Sequence, residues 1–278
     1  YLHVGNGTLL LDAAKGAYWQ FSRRQGEPVI PGTGIKGAVR AVVEAISNSC
    51  LAGTERGEHH IPPERRRCEV RGRAAAAPLR LCPACRIFGT TGYRGRAFFS
   101  DAVPVGGAKM TLVKIPDLWP PKRGSGRKFY RPGAFRPPAN PHPERNHRFV
   151  EAVAKGARFT AWLHFESLSP AEMGVLLRGL GLDAAPGASA PEPRLPIKLG
   201  GAKPRCLGTV RIRPTALFLV PTRSPETLRA LARGGNPAAV DEHVRAWLTN
   251  RGLVDRKAWE TLLKECTGPT GPCATRMY

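Results

Sequence analysis

Pro28-Val29-Ile30-Pro31-Gly32-Thr33-Gly34-Ile35-Lys36-Gly37-Ala38-Val39-Arg40 runs from an apolar segment through a Pro-Gly-Thr-Gly turn into a helical pattern. Apolar residues recur at Ile35, Val39, Val42, Val43 and Ile46, the spacing of one helical face. Thr33 or Gly34 is expected to cap this helix. Lys36 and Arg40 are four apart and share a face near its start. Free backbone N–H groups and the helix dipole favour an anion there, so a phosphate site is expected.

Working outward, Tyr1-Leu2-His3-Val4 reads as a strand, followed by a loop from Gly5 to Gly26. The chain opens within that strand, so a few residues are expected to precede Tyr1. Residues 50–86 are Arg-rich, contain Pro and show no sustained period, which reads as an insertion folded around metal. A strand is expected from Gly95 to Val103, then a long irregular stretch from Pro104 to Lys155; such a length inside a domain is usually functional or disordered. Between Ala157 and Leu168, Phe159, Ala161, Leu163 and Phe165 alternate as in a half-buried strand. Ser169-Pro170-Ala171-Glu172 opens a second helix that ends at Gly181. A Pro/Ala/Gly linker at 184–194, a glycine-rich turn at 199–208 and a strand from Thr209 to Val220 follow. Residues 224–265 read as two or three short helices. The order strand, helix, strand, strand, helix, strand suits an α+β chain with a ferredoxin-like, RRM-like split βαβ core.

Lys and Arg total 43 against 21 Asp and Glu, a formal charge of +22 over 278 residues. Even if this charge serves solubility, such a field attracts polyanions. No run of 18 apolar residues and no signal-like opening segment occur, so neither membrane insertion nor secretion is indicated and a cytoplasmic location is expected.

Four of the seven cysteines lie within residues 50–85. Cys82-x-x-Cys85 with Cys68 and Cys50 offers four thiolates, the tetrahedral set of a structural Zn²⁺. His59 and His60 are reserve ligands, and Cys50 has the alternative reading of a buried core thiol. The remaining cysteines, Cys206, Cys266 and Cys273, are expected as buried or unpaired thiols. Trp119, Trp162 and Trp247 are expected in the core or at a subunit interface. Lys122 to Arg131 interleaves basic residues with Phe129 and Tyr130, a pattern suited to phosphate contact and base stacking. In the glycine-rich turn, Gly200, Gly201 and Gly208 would let the backbone approach a phosphate chain, with Lys203 and Arg205 between them; plain turn chemistry is the other reading.

Together, the segment from Pro28 to Arg40, the segment Cys82-Pro83-Ala84-Cys85-Arg86-Ile87-Phe88-Gly89, and Leu199-Gly200-Gly201-Ala202-Lys203 continuing to Gly208 resemble the RAMP superfamily of CRISPR-associated proteins. The opening His3-Val4-Gly5-Asn6-Gly7 is similar to that family's strand-to-loop exit. The likeness covers residues 1–220, with a zinc-bearing insertion at 50–86 and a thumb-like insertion at 105–155. Residues 221–278 match nothing in the pattern and are expected as a helical C-terminal extension.

The resemblance implies a backbone-like subunit of a type III antiviral effector, holding CRISPR RNA beside target RNA and other RAMP-type subunits. On that view Lys36, Arg40 and the Gly200–Gly208 loop, with Lys203 and Arg205, grip guide phosphates. Lys128 adds charge there, and Phe129 and Tyr130 wedge against bases. Some such subunits cut target RNA with an aspartate in the loop after the first strand, helped by a divalent cation such as Mg²⁺. Asp12 is the one Asp in that loop, with a turn or cap role as its alternative. Three further readings stand beside the endoribonuclease: a scaffold or capping subunit that cuts nothing; a guide-processing endoribonuclease using His3, His142 or His147; and an unrelated zinc-ribbon protein.

Overall fold

The computed structural model describes residues 1–51, 65–66, 68, 70, 80–118, 128–184, 190–220, 224–226, 229, 238–267 and 273. His59, His60, Trp119 and Lys122–Arg127 lie outside them. The chain is α+β, with two helices packed on each other at its centre and several small sheets around them.

Helix α1 spans Gly32–Ile46 and buries Ile35, Val39, Val42, Val43 and Ile46, the face read from the spacing. Its start differs from expectation. Pro31 holds the N-cap position without a side-chain hydrogen bond, and Thr33 and Gly34 fall inside the first turn. The cap comes from across the fold: the Gly32 N–H donates to Asp101 Oδ1 at 2.9 Å. A Cβ at Gly32 would overlap the Phe99 and Ser100 carbonyl oxygens, so a strand lying this close to the helix start requires glycine.

That strand belongs to two antiparallel ladders, β3 (Ala97–Phe99) with β8 (Leu163–Phe165) and β4 (Val103–Pro104) with β7 (Phe159–Thr160). Between the pairs Phe99/Leu163 and Val103/Thr160 one strand advances four residues and the other three, which is a β-bulge. The extra residue is what allows Asp101 to turn toward α1 while Phe98, Val103 and Val105 stay on the outer face.

Helix α3 (Pro170–Gly179) starts as its sequence demands, with Ser169 and Glu172 forming a reciprocal capping box and Pro170 at the first position. Gly181, at φ 88°, follows its end. Gly179 lies against Val39 and Val43, which sets how closely α3 approaches α1.

The stretches read as loops hold the largest sheet. Strands β1 (Gly5–Asp12), β2 (Gly16–Phe21), β5 (Met110–Pro116) and β6 (His147–Val153) assemble in the order β1-β2-β6-β5, with β6 parallel to β2 and the other neighbours antiparallel. The periodicity at 110–116 and 147–153 is short and embedded among Pro, Gly and Arg; the two stretches pair with each other across the intervening loop, and Phe149 also lies opposite Tyr18 of β2, so neither pairing gave a local signal. One face of this sheet packs Val113, Ile115, Val150 and Ala152 against Ala202 and Leu207 of the glycine-rich turn. Of the strand expected from Thr209 to Val220, only Thr209–Val210 pairs, with Ile197–Lys198.

The C-terminal helices α4 (Val240–Thr249) and α5 (Arg256–Thr267) dock on α3 and α1. Gly174 permits this approach, because a Cβ there would overlap the Asn250 and Trp247 carbonyl oxygens. A buried polar knot closes the joint. Arg178 donates to Leu248 O at 2.7 Å and to Asp183 Oδ1 at 3.1 Å, and Trp259 Nε1 donates to Asp183 Oδ2 at 2.9 Å. The described residues contain no helix long and apolar enough to cross a membrane.

Candidate metal centre and nucleic-acid interface

Cys50 follows the end of α1, and Cys82 and Cys85 bracket the start of the short helix α2 (Pro83–Phe88). Cys82 caps that helix, its sulfur accepting from the Cys85 N–H at 3.4 Å. Cys68 completes the set, accepting from the Cys82 N–H at 3.5 Å. One donor atom from each of Cys50, Cys68, Cys82 and Cys85 lies within 4.8 Å of the others. The sulfurs of Cys50 and Cys85 are 3.4 Å apart and those of Cys82 and Cys50 are 3.6 Å apart. A tetrahedral ion with metal–sulfur bonds of about 2.3 Å separates its sulfurs by about 3.8 Å, so the donor set fits a metal with a slight expansion. Hydrogen bonds from Cys50 and then Cys85 lower the pKa of Cys82, so negative charge settles there first. The bond with Cys82 leads in raising Cys50 to about 11, bonds with Cys50 and then Cys82 raise Cys85, and a cation would reverse that penalty.

The arginine expected to hold phosphate is built into this corner. Arg40 donates through Nε to Glu44 Oε1 at 2.8 Å, through Nη1 to Gly89 O at 2.8 Å and through Nη2 to Cys85 Sγ at 3.6 Å. The Glu44 carboxylate is wholly buried. The anion expected at the start of α1 is likewise already supplied, by Asp101. Lys36, one turn before Arg40, is half-buried, and burial followed by the Arg40 charge lowers its pKa. Arg65 donates to the Ser47 and Ser49 carbonyls, and Arg86 pairs with Glu172.

The glycine-rich turn carries a different arrangement. Gly201 N donates to His3 O at 2.8 Å and Gly208 N to Tyr1 O at 2.9 Å, pinning the turn to the opening segment. A Cβ at Gly200 would overlap the His3 carbonyl oxygen, and one at Gly208 the Leu199 oxygen. The close approach these glycines permit is therefore to the chain's own backbone. Arg205 is buried and donates to Asp117 O at 3.0 Å. Two lysines remain. Lys198 donates to Leu207 O at 3.2 Å; burial, and then the Lys203 charge, push its pKa down to about 8. Burial also lowers Lys203. Among the described residues neither is paired with a carboxylate. The residue-type reading missed Lys198; its place one step before Leu199-Gly200 was the available signal.

Cys206 in this turn and Cys273 form a disulfide, with Cα atoms 5.7 Å apart, which corrects the expectation of unpaired thiols for both. Cys266 is a free, buried thiol as expected.

The other candidates are dispersed. Asp12 ends β1, and its Oδ1 accepts from Ala14 N at 2.9 Å and Lys15 N at 2.8 Å, closing the turn into β2. Phe129 stands beside α5 at a cavity of about 570 Å³ that also includes Lys257, Leu262 and Cys266. The neighbouring Arg131 is ion-paired with Glu265, while Lys128 is exposed and Tyr130 half-buried. His3 is buried, donates from Nδ1 to Glu151 O at 2.6 Å, and has its pKa lowered chiefly by burial. His147 pairs with Glu144 at 2.9 Å, and His142 lies in the exposed loop before it.

A family model described as RAMPs, the RAMP superfamily, matches residues 2–211. No curated protein matches the chain significantly.

Proposed function

Because the chain belongs to the RAMP superfamily, whose members are CRISPR-associated RNA-binding modules, we propose that it is a backbone-like subunit that holds CRISPR RNA in a type III-like antiviral effector. The observation that carries this reading is the pair Lys198 and Lys203 at the glycine-rich turn, two cations that lack a carboxylate partner among the described residues and are partly stripped of water. Phosphates of a bound strand would restore their favoured charge. Zinc is the ion we assign to the four cysteines, because four thiolates whose sulfurs lie within 4.8 Å of one another suit it.

A ferredoxin-like core is part of the same proposal. The order of an opening segment, α1, β3–β4, β7–β8 and α3, with both helices on one side of an antiparallel pair, supports it. The turn-closing role of Asp12 favours a subunit that holds RNA over one that cuts it.

The test is to purify the chain with its partner subunits and identify the bound nucleic acid. Guide-length RNA is expected from the wild type, and much less from a Lys198→Ala/Lys203→Ala double variant of unchanged thermal midpoint. Complementary RNA is then added with Mg²⁺. Intact target with both wild type and Asp12→Ala supports the scaffold, and cuts lost only in Asp12→Ala would restore the nuclease. Recovery of no RNA would end the reading.

A further inference from the structure

The ladders β3–β8 and β4–β7 have two unlike faces. Ala97, Phe99, Phe159, Leu163 and Phe165 point into the helical layer and join the core. The opposite face carries Phe98, His164, Trp162, Val103 and Val105. Trp162, expected in the core or at a subunit interface, lies outside the core at 66% exposure, and Val103 and Val105 are 46% and 45% exposed.

The rings on this face are ordered. Phe98 and His164 are cross-strand partners with ring centroids 5.8 Å apart. Trp162 is two residues before His164, immediately ahead of β8, where its carbonyl accepts from Ser100 N at 3.0 Å, and Phe218 lies beside it at 6.0 Å. The Arg94 guanidinium sits 4.6 Å from the Phe98 ring centroid. Arg94 is itself held by the metal corner, because it lies on the Tyr93–Arg94 strand that pairs with Gly89–Thr90 just after α2. His164 also contacts Glu166 at 3.2 Å, the acidic group at this edge.

We propose that this outer sheet face is a stacking platform for unpaired bases of single-stranded RNA, with Trp162 and Phe98 as its ring surfaces and Arg94 as its phosphate contact. The proposal rests on the RNA-holding reading and adds a second contact surface to it, apart from the lysines of the glycine-rich turn. Two features select this ligand. First, residues two apart on a strand lie about 6.6 Å apart, roughly twice the 3.4 Å step of stacked bases, so bases must leave their stack to lie on Trp162 and on the Phe98–His164 pair. A duplex cannot offer them; an open strand can. Second, the rings are interleaved with Arg94 and His164, and the chain carries a formal charge of +22. A protein-binding patch is depleted of charge at its centre, whereas single-strand grooves combine aromatic faces with cations.

The experiment compares binding of a fluorescein-labelled oligouridine and of double-stranded RNA of equal length. It uses wild type, Trp162→Ala, Trp162→Phe, Arg94→Ala and the Lys198→Ala/Lys203→Ala variant. Trp162→Ala is expected to weaken single-strand binding about tenfold, leave duplex binding and the thermal midpoint unchanged, and be largely rescued by Trp162→Phe. Oligouridine is expected to quench the tryptophan fluorescence of wild type by more than that of Trp162→Ala. Single-strand affinity unchanged in Trp162→Ala but lost in the lysine variant would overturn the platform and leave the RNA-holding reading intact. Absence of RNA binding by wild type would overturn both. Unchanged RNA affinity together with loss of a larger assembly in sedimentation would overturn the platform and assign the face to a protein partner.

Discussion

The cysteine corner and the glycine-rich turn both concentrate basic residues beside a recognisable motif, and they use them in opposite ways. At the corner three arginines are consumed internally: Arg40 by Glu44, Gly89 O and Cys85, Arg86 by Glu172, Arg65 by two backbone carbonyls. At the turn Arg205 is also drawn inward, but Lys198 and Lys203 stay half-buried with no carboxylate partner among the described residues. A basic residue next to a motif is thus a stabilising strut where a carboxylate or several carbonyls claim it; under the proposed function Lys198, which donates to the Leu207 carbonyl but pairs with no carboxylate among the described residues, and Lys203 are the cations left for a ligand. The charge of +22 is a reservoir; local pairing decides which part of it faces a polyanion.

The comparison predicts that damage at the corner registers as lost stability. Cys82→Ser should have the largest effect, since it removes the helix-capping thiolate and one of four ligands. Bound metal, read by atomic emission, should fall from one per chain to none, and stability should drop by about 5 kcal/mol or more. Treating wild type with a strong chelator should give the same loss, and a chelated protein that melts like the untreated one would refute the structural role of the ion. Next in size, Arg40→Ala leaves the buried Glu44 carboxylate without its arginine, at a cost of about 3 kcal/mol in denaturant unfolding. RNA affinity measured under conditions where this variant is folded should be close to wild type. If Arg40→Ala instead folds normally and loses RNA, the corner and the turn have been assigned the wrong way round.

The structure shows why part of this contrast was legible beforehand. The face of α1, the helix opening at Ser169-Pro170 and the cluster Cys50, Cys68, Cys82 and Cys85 are written in local spacing, and each occurs as read. What was illegible depends on partners distant in the chain. Asp101 caps a helix 69 residues earlier, so the start of α1 looked like an open anion site. Arg40 at i, i+4 from Lys36 looked like half of a phosphate clamp; Glu44, four residues on along the same helix, was a legible partner that this reading passed over, whereas Cys85 and Gly89 O reach Arg40 only once α2 has folded against α1. The sheet β1-β2-β6-β5 was hidden in part by the same physics: β1 and β2 form a local hairpin, but β6 finds β2 far back in the chain, with Phe149 opposite Tyr18.

Within the turn, the glycines and the lysines should separate cleanly. Gly200→Ala places a Cβ into the His3 carbonyl at a backbone φ of 72°, and should cost about 2 kcal/mol, read as a lowered thermal midpoint. Loss of RNA binding in a variant that melts like wild type would mean that the glycine serves the ligand rather than the fold.

The smallest predicted effect is also the most diagnostic, because stability and binding should move in opposite directions with pH at one residue. The folded Lys198 has its pKa pushed down to about 8, first by burial and then by Lys203, whereas an unfolded lysine titrates near about 10.4. Between those values the unfolded chain binds more protons than the folded one, so stability should rise as pH climbs through that window. A phosphate placed beside Lys198 favours the protonated form, so binding above pH 8 must take up a proton and RNA affinity should fall from pH 7 to pH 9 by a few-fold. Lys198→Ala should flatten both trends, and should reduce the salt dependence of binding by about one counterion. Affinity that is flat across this range in wild type, alongside a rising melting midpoint, would leave Lys198 a merely buried lysine. The phosphate contacts of the turn would then rest on Lys203 alone.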